Sequence, residues 1–467
     1  MRNIPPHLTT LLEALKFCGA RRDALRTITD SEWKNILSHW GFVRLTLPLR
    51  HICGDDLPNW VREQIDQNIG DNTERFCRIR KDYVEIATVL REAGVEHLVL
   101  KGFAQWPAYM QSPRFRAQSD IDLFCPEESI FRARDALCTL GYQSVEGQEH
   151  FVHQVGDHLT SMVRKTDWQW RGRPFDPEAP ISIELHFRFW NKPFLRLDPA
   201  GVEQFWPRRV ERKLEDFSFP ALNPVDSLGY STLHMLRHLL LGGMLAYHVY
   251  ELSWFLHTSA DNEPFWKQWR EWHHDSLRSF EAVCFRLASD WFACRLPEEA
   301  KEEIGSLPQP VQQWFQNYRD SPIAWLIRPN KDALWLHLSL LKSPSDKRRI
   351  LCRGLFPIGT PPTKSVMGWP LRIYRRFFLH VISRVSYHLR LLPLTLWQGF
   401  RWWWSGKGLG KQFWILFAAS SCFDIGMVVF FSTTPCERFS SRTRSALLTV
   451  NSMHGSFAIV LFGFLSQ

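Results

Sequence analysis

The sequence predicts an α+β fold in which a small mixed β-sheet lies between two helical regions. Apolar residues recur at helical spacing over roughly the first 90 residues, and the same spacing returns from Pro224 to about Leu341. Between these regions, short runs of alternating apolar and polar residues are typical of strands. We therefore expect four regions: N-terminal helices at 1–90, an α/β core at 91–195, a helical domain at 196–345 and a tail at 346–467.

Amphipathic helices are predicted on both sides of the core. Before it, the apolar positions are Leu8, Leu11, Leu12 and Leu15 in one stretch and Phe76, Ile79, Tyr83, Ile86 and Leu90 in another. Gly94 should end the second of these helices, because glycine is favoured just after a helix. After the core, Leu228, Leu233, Leu236, Leu239 and Leu240 form one apolar face.

The predicted core alternates strands and helices. Strands are expected at His97–Leu100, around Ile121–Phe124, at Leu159–Arg164 and at Ile181–His186. Helices are expected at Phe103–Met110 and Glu128–Leu140. This order predicts a mixed sheet with helices on one face.

Composition places the chain among folded proteins with a basic tail. It has 467 residues, of which 45% are apolar and 22% are charged, so it can bury a core and extensive disorder is not expected. The formal net charge is +9, but residues 346–411 contain 13 Lys or Arg and one acid. The rest of the chain carries a net charge of −3, so the surplus does not indicate that the body binds nucleic acid.

The basic tail mixes arginine with aromatic residues, including the run Trp402–Trp404. Such a segment suits an anionic membrane surface, a packed helical subdomain or single-stranded nucleic acid. The stretch Phe413–Phe431 is about long enough to span a bilayer, although Asp424 interrupts it. These features favour a membrane surface as the partner of 346–467 over nucleic acid.

Cysteine usage and the N-terminus favour a reducing compartment. The 10 cysteines are scattered without a CxxC pair, and Met1–Thr10 is polar, unlike a secretory signal. We expect a cytoplasmic protein that is peripherally or C-terminally membrane-associated. The sequence also lacks a GxSxG, Walker A or GxGxxG pattern, which argues against hydrolase, P-loop and dinucleotide-binding functions.

The acidic segment around Asp120 and Asp122 is the strongest candidate site. In a strand these two carboxylates share one face, and a divalent cation such as Mg²⁺ would relieve their repulsion. Glu184, on another predicted strand, could supply a third carboxylate. Without a cation the same pattern is a solvated strand edge.

A turn upstream adds a phosphate-binding element. Lys101 and Gly102 follow a predicted strand and precede a predicted helix. In such a turn glycine lets the backbone approach a phosphate closely, and lysine supplies a positive charge. Arg116 is either a surface charge or a partner for a triphosphate. Most strand–glycine–helix turns bind no ligand. The turn indicates a phosphate site here only in combination with the acidic residues.

Four segments in the same order resemble the uncharacterised nucleotidyltransferase family of the polymerase-β-type superfamily. They are Leu98-Val99-Leu100-Lys101-Gly102, Arg116–Leu123, Gly141-Tyr142 and Ile183-Glu184-Leu185-His186. The resemblance covers about residues 80–260. Lys101-Gly102 stands where the superfamily usually has Gly-Ser, and Glu251 stands where the family is expected to have Asp.

The resemblance implies a catalytic, metal-binding set and a nucleotide-binding set. Asp120 and Asp122 fall on the two metal-binding carboxylates, and Glu184 falls on the third acidic position, that of the general base. The expected nucleotide-binding residues are Lys101, Gly102, Arg116, Ser119 and His186, and His186, which shares a strand face with Glu184, either contacts a phosphate or orients that carboxylate. Two Mg²⁺ ions would bridge the acids and the α-phosphate of a nucleoside triphosphate.

The implied function is Mg²⁺-dependent transfer of a nucleoside monophosphate to an unknown small-molecule or protein acceptor, with release of pyrophosphate. The alternative is a catalytically inactive protein of the same fold that binds partners and is tethered to a membrane by its tail.

Overall fold

The computed structural model describes residues 4–144, 156–214, 217–355, 371–405, 446–452 and 455–461. By compactness the chain divides into one unit at 1–402 and a second at 403–467. In the second unit the described strands, β8 (Ala446–Ser452) and β9 (Gly455–Leu461), pair antiparallel. The finer division at residues 90, 195 and 345 stays a prediction.

A seven-stranded mixed sheet forms the centre of the first unit, in the order β3-β4-β5-β2-β1-β7-β6. Its strands are β1 (Leu98–Val99), β2 (Asp120–Phe124), β3 (Tyr142–Ser144), β4 (Met162–Arg164), β5 (Ser182–His186), β6 (Val210–Leu214) and β7 (Phe217–Ala221). Strands β2 and β5 run parallel, and β1 runs antiparallel to β2. The predicted α+β fold with a small mixed sheet is confirmed.

Apolar side chains fix the central strands in place. Ile121 and Leu123 on β2 and Ile183 and Leu185 on β5 are at most 1% exposed. Because strand side chains alternate between faces, burying these residues turns the intervening residues of both strands towards the opposite face. The register places Asp122 directly beside Glu184. The alternation of apolar and polar residues in β2 and β5 thus both buries the strands and places the acidic side chains together.

Helices precede and cover the sheet. They are α1 (Pro6–Ala14), α2 (Asp30–Ser38), α3 (Trp40–Cys53) and α4 (Asn59–Glu92), with α5 (Ile130–Thr139) inserted between β2 and β3. Helix α4 has 34 residues, and its buried residues Ile79, Tyr83, Ile86 and Leu90 belong to the same core as the sheet. The predicted helical spacing in this segment is therefore confirmed, and Gly94 follows its end with a φ of +64°.

Helices return after the sheet. They are α6 (Lys192–Leu195), α7 (Pro224–Leu241), α8 (Ala246–Ser259), α9 (Glu263–Trp272), α10 (Asp275–Phe292), α11 (Glu298–Gly305), α12 (Gln309–Tyr318), α13 (Ser321–Trp325), α14 (Ala333–Leu340), α15 (Pro344–Leu355) and α16 (Leu371–Ser405). Asn223 caps α7 by accepting hydrogen bonds from the backbone N–H groups of Val225 and Asp226. Helix α7 supplies His234, which contacts Lys101, and α8 supplies Glu251, which pairs with Arg116.

Two sequence predictions about local structure need correction. The predicted helix Phe103–Met110 is a single 3₁₀ turn at Gly102–Gln105, since Pro107 cannot donate a hydrogen bond and restricts the residue before it. The region after residue 195 is not purely helical, because β6 and β7 form a hairpin that extends the sheet beside β1. The alternating sequence Phe-Ser-Phe-Pro-Ala of β7 is the signal for this hairpin, whereas Val-Glu-Arg-Lys-Leu of β6 has three consecutive charged residues and does not alternate.

Among the described residues, no helix is both long enough and apolar enough to cross a membrane. The candidate span Phe413–Phe431 lies outside the described residues.

Candidate active site

Two carboxylates and one imidazole converge on the face formed by β2 and β5. The ligand atoms of Asp122, Glu184 and His186 all lie within 4.8 Å of one another. His186 Nε2 lies 3.2 Å from Asp122 Oδ1 and 3.5 Å from Glu184 Oε2. Asp122 and His186 are almost fully buried, whereas the Glu184 side chain is 24% exposed. The cluster is therefore reached from solvent along its Glu184 side.

Each charged group in the cluster depends on the others. Burial disfavours a charged imidazole, but hydrogen bonds to Asp122 and Glu184 outweigh it and raise the pKa of His186 to about 9. Burial likewise opposes ionisation of Glu184, yet its hydrogen bond from His186 and the charge of Lys101 hold its pKa below the usual range. Glu184 also accepts a hydrogen bond from Ser161 Oγ at 3.1 Å. These contacts keep Glu184 ionised.

Asp120 lies on the same strand face but stands slightly apart from this cluster. Its side chain is 29% exposed, and Oδ2 lies 3.8 Å from Lys101 Nζ. Burial raises the pKa of Asp120, and the nearby charges of Asp122 and Glu184 add to that effect against the attraction of Lys101. The tightest set of ligand atoms thus includes His186, which sequence reasoning assigned to nucleotide binding, in the place expected for Asp120.

Lys101 links the acids to the helices. Its Nζ lies 3.1 Å from Asp122 Oδ1 and 3.4 Å from His234 Nε2 on α7. Burial disfavours its charge, but the surrounding carboxylates dominate and raise the pKa of Lys101. The ammonium group therefore supplies a fixed positive charge beside Asp120 and Asp122.

Gly102 allows a close approach that another residue would block. Its φ of +75° is a conformation that favours glycine, and a Cβ atom built there would lie 2.3 Å from Gln118 Nε2. Gln118 uses that same nitrogen to donate a 2.7 Å hydrogen bond to the carbonyl of Asp120. The Lys101-Gly102 turn is thereby held against the start of β2.

Arg75 on α4 positions both acidic strands, and sequence reasoning missed it. Its buried guanidinium donates to the carbonyls of Gln118 and Ser119, just before β2, at 2.9 and 3.3 Å. It also donates to three carbonyls shortly before β5, those of Asp176, Ala179 and Pro180. The detectable signal was an arginine four residues before Ile79, on the buried stripe of an amphipathic helix. Ser119 contributes its backbone to this arrangement and is half-buried.

Arg116 is held inside the protein, not on the surface. Its Nε lies 2.6 Å from Glu251 Oε1 on α8, and its terminal nitrogen donates to Gln105 Oε1 at 2.7 Å. Burial raises the pKa of Glu251, opposed by the charge of Arg116. Tyr247, also on α8, accepts a 3.1 Å hydrogen bond from the backbone N–H of Ala117. The segment before β2 is therefore tied to α8.

Three histidines gather beyond Lys101. His234 and His238 on α7 approach with 3.2 Å between their Nε2 atoms, and the ring centres of His234 and His248 are 5.6 Å apart. Burial lowers the pKa of His238 to about 4 and pushes those of His234 and His248 well below the ordinary value. All three are neutral at pH 7. Their helical positions became informative only once α7 and α8 were placed near Lys101.

Two carboxylates and an imidazole form a donor set that fits a divalent cation. Carboxylate oxygens suit Mg²⁺, and a histidine nitrogen broadens the set to Mn²⁺ or Zn²⁺. The positive charges of Lys101 and of protonated His186 balance the carboxylates, and a metal ion bound here would take the place of the His186 proton. The residues present therefore fit a metal ion held by Asp122, Glu184 and His186.

Comparison with known proteins agrees with this geometry. The family model of the uncharacterised nucleotidyltransferases matches residues 45–293, which includes the whole sheet and helices α7 and α8. No curated protein and no solved structure matches the chain.

Proposed function

Because the chain belongs to the uncharacterised nucleotidyltransferase family, we propose that it transfers a nucleoside monophosphate from a nucleoside triphosphate to an acceptor hydroxyl. The observation that carries this proposal is the convergence of Asp122, Glu184 and His186 beside the Lys101 ammonium. In such a reaction the bond between the acceptor oxygen and the α-phosphorus forms. The bond between the α-phosphorus and the bridging oxygen breaks, and pyrophosphate leaves.

The acidic cluster would hold Mg²⁺, through Asp122, Glu184 and His186, with Asp120 close enough to take part. A bound divalent cation would neutralise the charge that develops on the phosphoryl oxygens and help to position the α-phosphate. The low pKa of Glu184 favours a permanently ionised ligand over a strong general base. We therefore place Glu184 with the metal ligands, and the family-derived role of general base is less favoured by its contacts.

Lys101 would bind the phosphates that the metal does not neutralise. It is a buried, permanently charged ammonium within 4 Å of both Asp120 and Asp122. With a divalent cation held by Asp122, Glu184 and His186, the Lys101 ammonium would be free to donate a hydrogen bond to a phosphate oxygen. Gly102 lets the turn pack against Gln118 beside the start of β2, and Ser119 lies at the adjacent strand start.

Arg116 has a different role in this proposal from that expected of a direct phosphate ligand. Its guanidinium is engaged by Glu251 and Gln105, so it fixes the loop before β2 and adds positive potential near the site. Direct contact with phosphate would require one of these bonds to open.

Calorimetric titration with ATP, GTP, CTP and UTP in the presence of Mg²⁺ tests the proposal, followed by a pyrophosphate-release assay over a panel of acceptors. We expect at least one nucleotide to bind, and binding to disappear in the double variant Asp120→Asn with Asp122→Asn. Binding of no nucleotide, or equal binding by the double variant, contradicts the proposal. The variant Asp167→Asn, at an exposed position away from the cluster, is the matched control.

A further inference from the structure

A histidine that the proposed metal site does not use lies on the same face of the sheet as the acidic cluster. His158 is directly opposite His186, and the two residues form an antiparallel bridge beside the end of β5. Backbone hydrogen bonds of 2.8 and 2.9 Å flank this pair, which makes it the closely spaced, non-hydrogen-bonded type of antiparallel pair. The two side chains of such a pair point to the same face and lie next to each other.

His158 borders the metal-ligand set without belonging to it. The ring centres of His158 and His186 are 5.0 Å apart. Burial opposes ionisation of Glu184, but the hydrogen bond from His186 and nearby basic groups, the His158 ring among them, hold its pKa below the usual range. Among the described residues, the ligand atoms that lie within 4.8 Å of one another are those of Asp122, Glu184 and His186. His158 is therefore a neighbour of the cluster that is left for another role.

A hydrogen bond determines which ring nitrogen of His158 carries the proton. Nδ1 lies 2.6 Å from the backbone carbonyl oxygen of Leu159, and because a carbonyl oxygen only accepts, Nδ1 donates. In the neutral imidazole Nε2 then has the lone pair that can accept a proton. Asp157 Oδ1 lies 3.9 Å from Nε2, so a carboxylate is close to the positive charge that protonation would create.

His158 and Lys101 lie on opposite sides of the site. In the sheet order, β1 follows β2 on one side and β4 follows β5 on the other. Lys101 comes directly after β1 and contacts Asp122, whereas His158 precedes β4 and adjoins His186. In-line displacement places the attacking and leaving oxygens on opposite sides of phosphorus. With the phosphates at Lys101, the attacking oxygen would therefore come from the side of His158.

The side of the site at His158 is also the one that solvent reaches. The side chains of His158 and Glu184 are partly exposed, whereas those of Asp122 and His186 are almost fully buried. A hydroxyl must lose its proton when it attacks phosphorus, and histidine is the side chain that most often takes such a proton. Glu184 is engaged by His186 and Ser161, which leaves His158 as the better placed base.

We propose that His158 is the general base of the proposed nucleotidyltransfer, on which this inference rests. Nε2 of His158 takes the proton of the acceptor hydroxyl while its oxygen forms the bond to the α-phosphorus. The bond between the α-phosphorus and the bridging oxygen breaks, and pyrophosphate leaves with the electron pair. The imidazolium that results lies near the carboxylates of Asp157 and Glu184, and it releases the proton to water before the next turnover.

The tautomer is tested without nucleotide or metal, by NMR of protein labelled with ¹⁵N at histidine. The variant His158→Gln identifies the His158 signals by their disappearance. In the neutral imidazole we expect Nδ1 to be protonated and Nε2 to be unprotonated. A proton on Nε2 would overturn the proposal, because that nitrogen could then not accept another. The control His274→Gln, at an exposed position, should leave the His158 signals unchanged.

Pyrophosphate release tests the catalytic role, with the nucleotide that binds in calorimetry and with the acceptor panel or water as the attacking hydroxyl. General bases contribute about 10²–10⁴-fold, so kcat should fall by about 10²-fold or more in His158→Ala. KM for the nucleotide and the affinity for Mg²⁺ should stay close to those of wild type. Added imidazole should raise the rate of His158→Ala roughly tenfold and leave His274→Ala unchanged.

The variant His158→Gln separates a base from a structural hydrogen bond, and it replaces His158→Ala if the alanine variant does not fold. Its amide can still donate to the Leu159 carbonyl but is not a base, so it should be as slow as His158→Ala. A wild-type rate in His158→Gln would show that the role of His158 is structural. Failure of imidazole to restore the rate of His158→Ala contradicts the base as well.

Metal and nucleotide binding separate this inference from the proposed function. A large loss of Mg²⁺ affinity in His158→Ala would make His158 a metal ligand and overturn its role as base. If no nucleotide binds to wild type, the proposed function fails and the catalytic role fails with it. Nucleotide binding and pyrophosphate release that are the same in wild type and His158→Ala contradict this inference alone.

Discussion

Lys101 Nζ lies 3.1 Å from Asp122 Oδ1, so a lysine occupies the position of a counter-ion for the acidic cluster. Both groups are largely buried, with side-chain exposures of 18% and 1%. The ammonium therefore does part of the work that a bound cation would do. This relationship means that metal binding and lysine position should be coupled.

Replacing Lys101 by methionine should make the protein depend on Mg²⁺ for stability. Without the ammonium, Asp120 and Asp122 lose their shared counter-charge, and breaking a buried pair costs about 3–5 kcal/mol. Urea unfolding with and without Mg²⁺ measures the effect. We expect Mg²⁺ to recover more unfolding free energy in Lys101→Met than in wild type. An equal Mg²⁺ response in both proteins would show that the lysine and the metal do not share the site.

The same variant should weaken nucleotide binding. A hydrogen bond to a charged group contributes about 1.5–3 kcal/mol, so KM for the triphosphate should rise by roughly tenfold or more in Lys101→Met. Steady-state pyrophosphate release gives KM and kcat separately. The variant Lys301→Met, at an exposed lysine on α11, is the matched control and should leave both constants unchanged.

Asp122→Asn should abolish transfer without unfolding the protein. The carboxylate lies at the centre of the cluster, so its loss removes a metal ligand and the partner of both Lys101 and His186. We expect pyrophosphate release to fall by about 10³-fold, comparable to losing a principal electrostatic contact in a transition state. Near-UV circular dichroism checks that the fold remains. Residual activity within tenfold of wild type would exclude Asp122 as a metal ligand.

Arg75→Met should destabilise the site from a distance. The substitution leaves buried carbonyls before β2 and β5 without their donor, and we expect a loss of about 3–5 kcal/mol in unfolding free energy. Arg75→Lys keeps the charge but cannot reproduce the planar fork, so an intermediate loss is expected. Urea denaturation measures both. The exposed control Arg91→Met should change stability by less than about 0.5 kcal/mol, and a similarly small change in Arg75→Met would contradict the positioning role.

A second buried histidine predicts how stability depends on pH. His273 lies 3.0 Å from Glu281 and 3.4 Å from Asp226, with all three side chains fully buried. Burial opposes its charge, but the two carboxylates prevail and raise its pKa to about 9 from 6.5. The resulting stabilisation, about 3 kcal/mol, is fully present below pH 6.5 and is lost as the pH rises through 9.

Unfolding free energies of wild type and His273→Gln, measured between pH 6 and 10, test this prediction. The difference between the two proteins should shrink across that interval, because only wild type carries the titrating imidazole. His274→Gln is the matched control at the next position. A difference that is constant with pH would show that His273 is not protonated in the folded protein.

The sequence was sufficient to identify the acidic residues of the site, but not the tertiary contacts that position them. The alternation in Asp120–Phe124 and Ile181–His186 was sufficient to predict two strands with carboxylates on one face. It could not predict that these strands pair, because Asp122 and His186 are 64 residues apart in the chain and register depends on tertiary packing.

Other features of the site were invisible for similar reasons. Arg75 is on a helix, and its carbonyl partners lie in the segments that precede β2 and β5. The sequence alone does not show that these segments pack against that helix. The pairing of Arg116 with Glu251 joins residues from two regions that the sequence treated separately. By contrast, the 3₁₀ turn at Gly102–Gln105 could have been predicted from the sequence, since Pro107 disfavours a longer helix there.

The 64-residue separation between Asp122 and His186 also bears on the order in which the site assembles during synthesis. A nascent chain that has emerged only as far as β2 presents Asp120 and Asp122 before Glu184 and His186 exist. At that stage Lys101, which has already emerged, is a cationic partner that the finished site places within 4 Å of both carboxylates. We expect Lys101 to neutralise the two carboxylates in the nascent chain until β5 has been synthesised and the complete metal site can form.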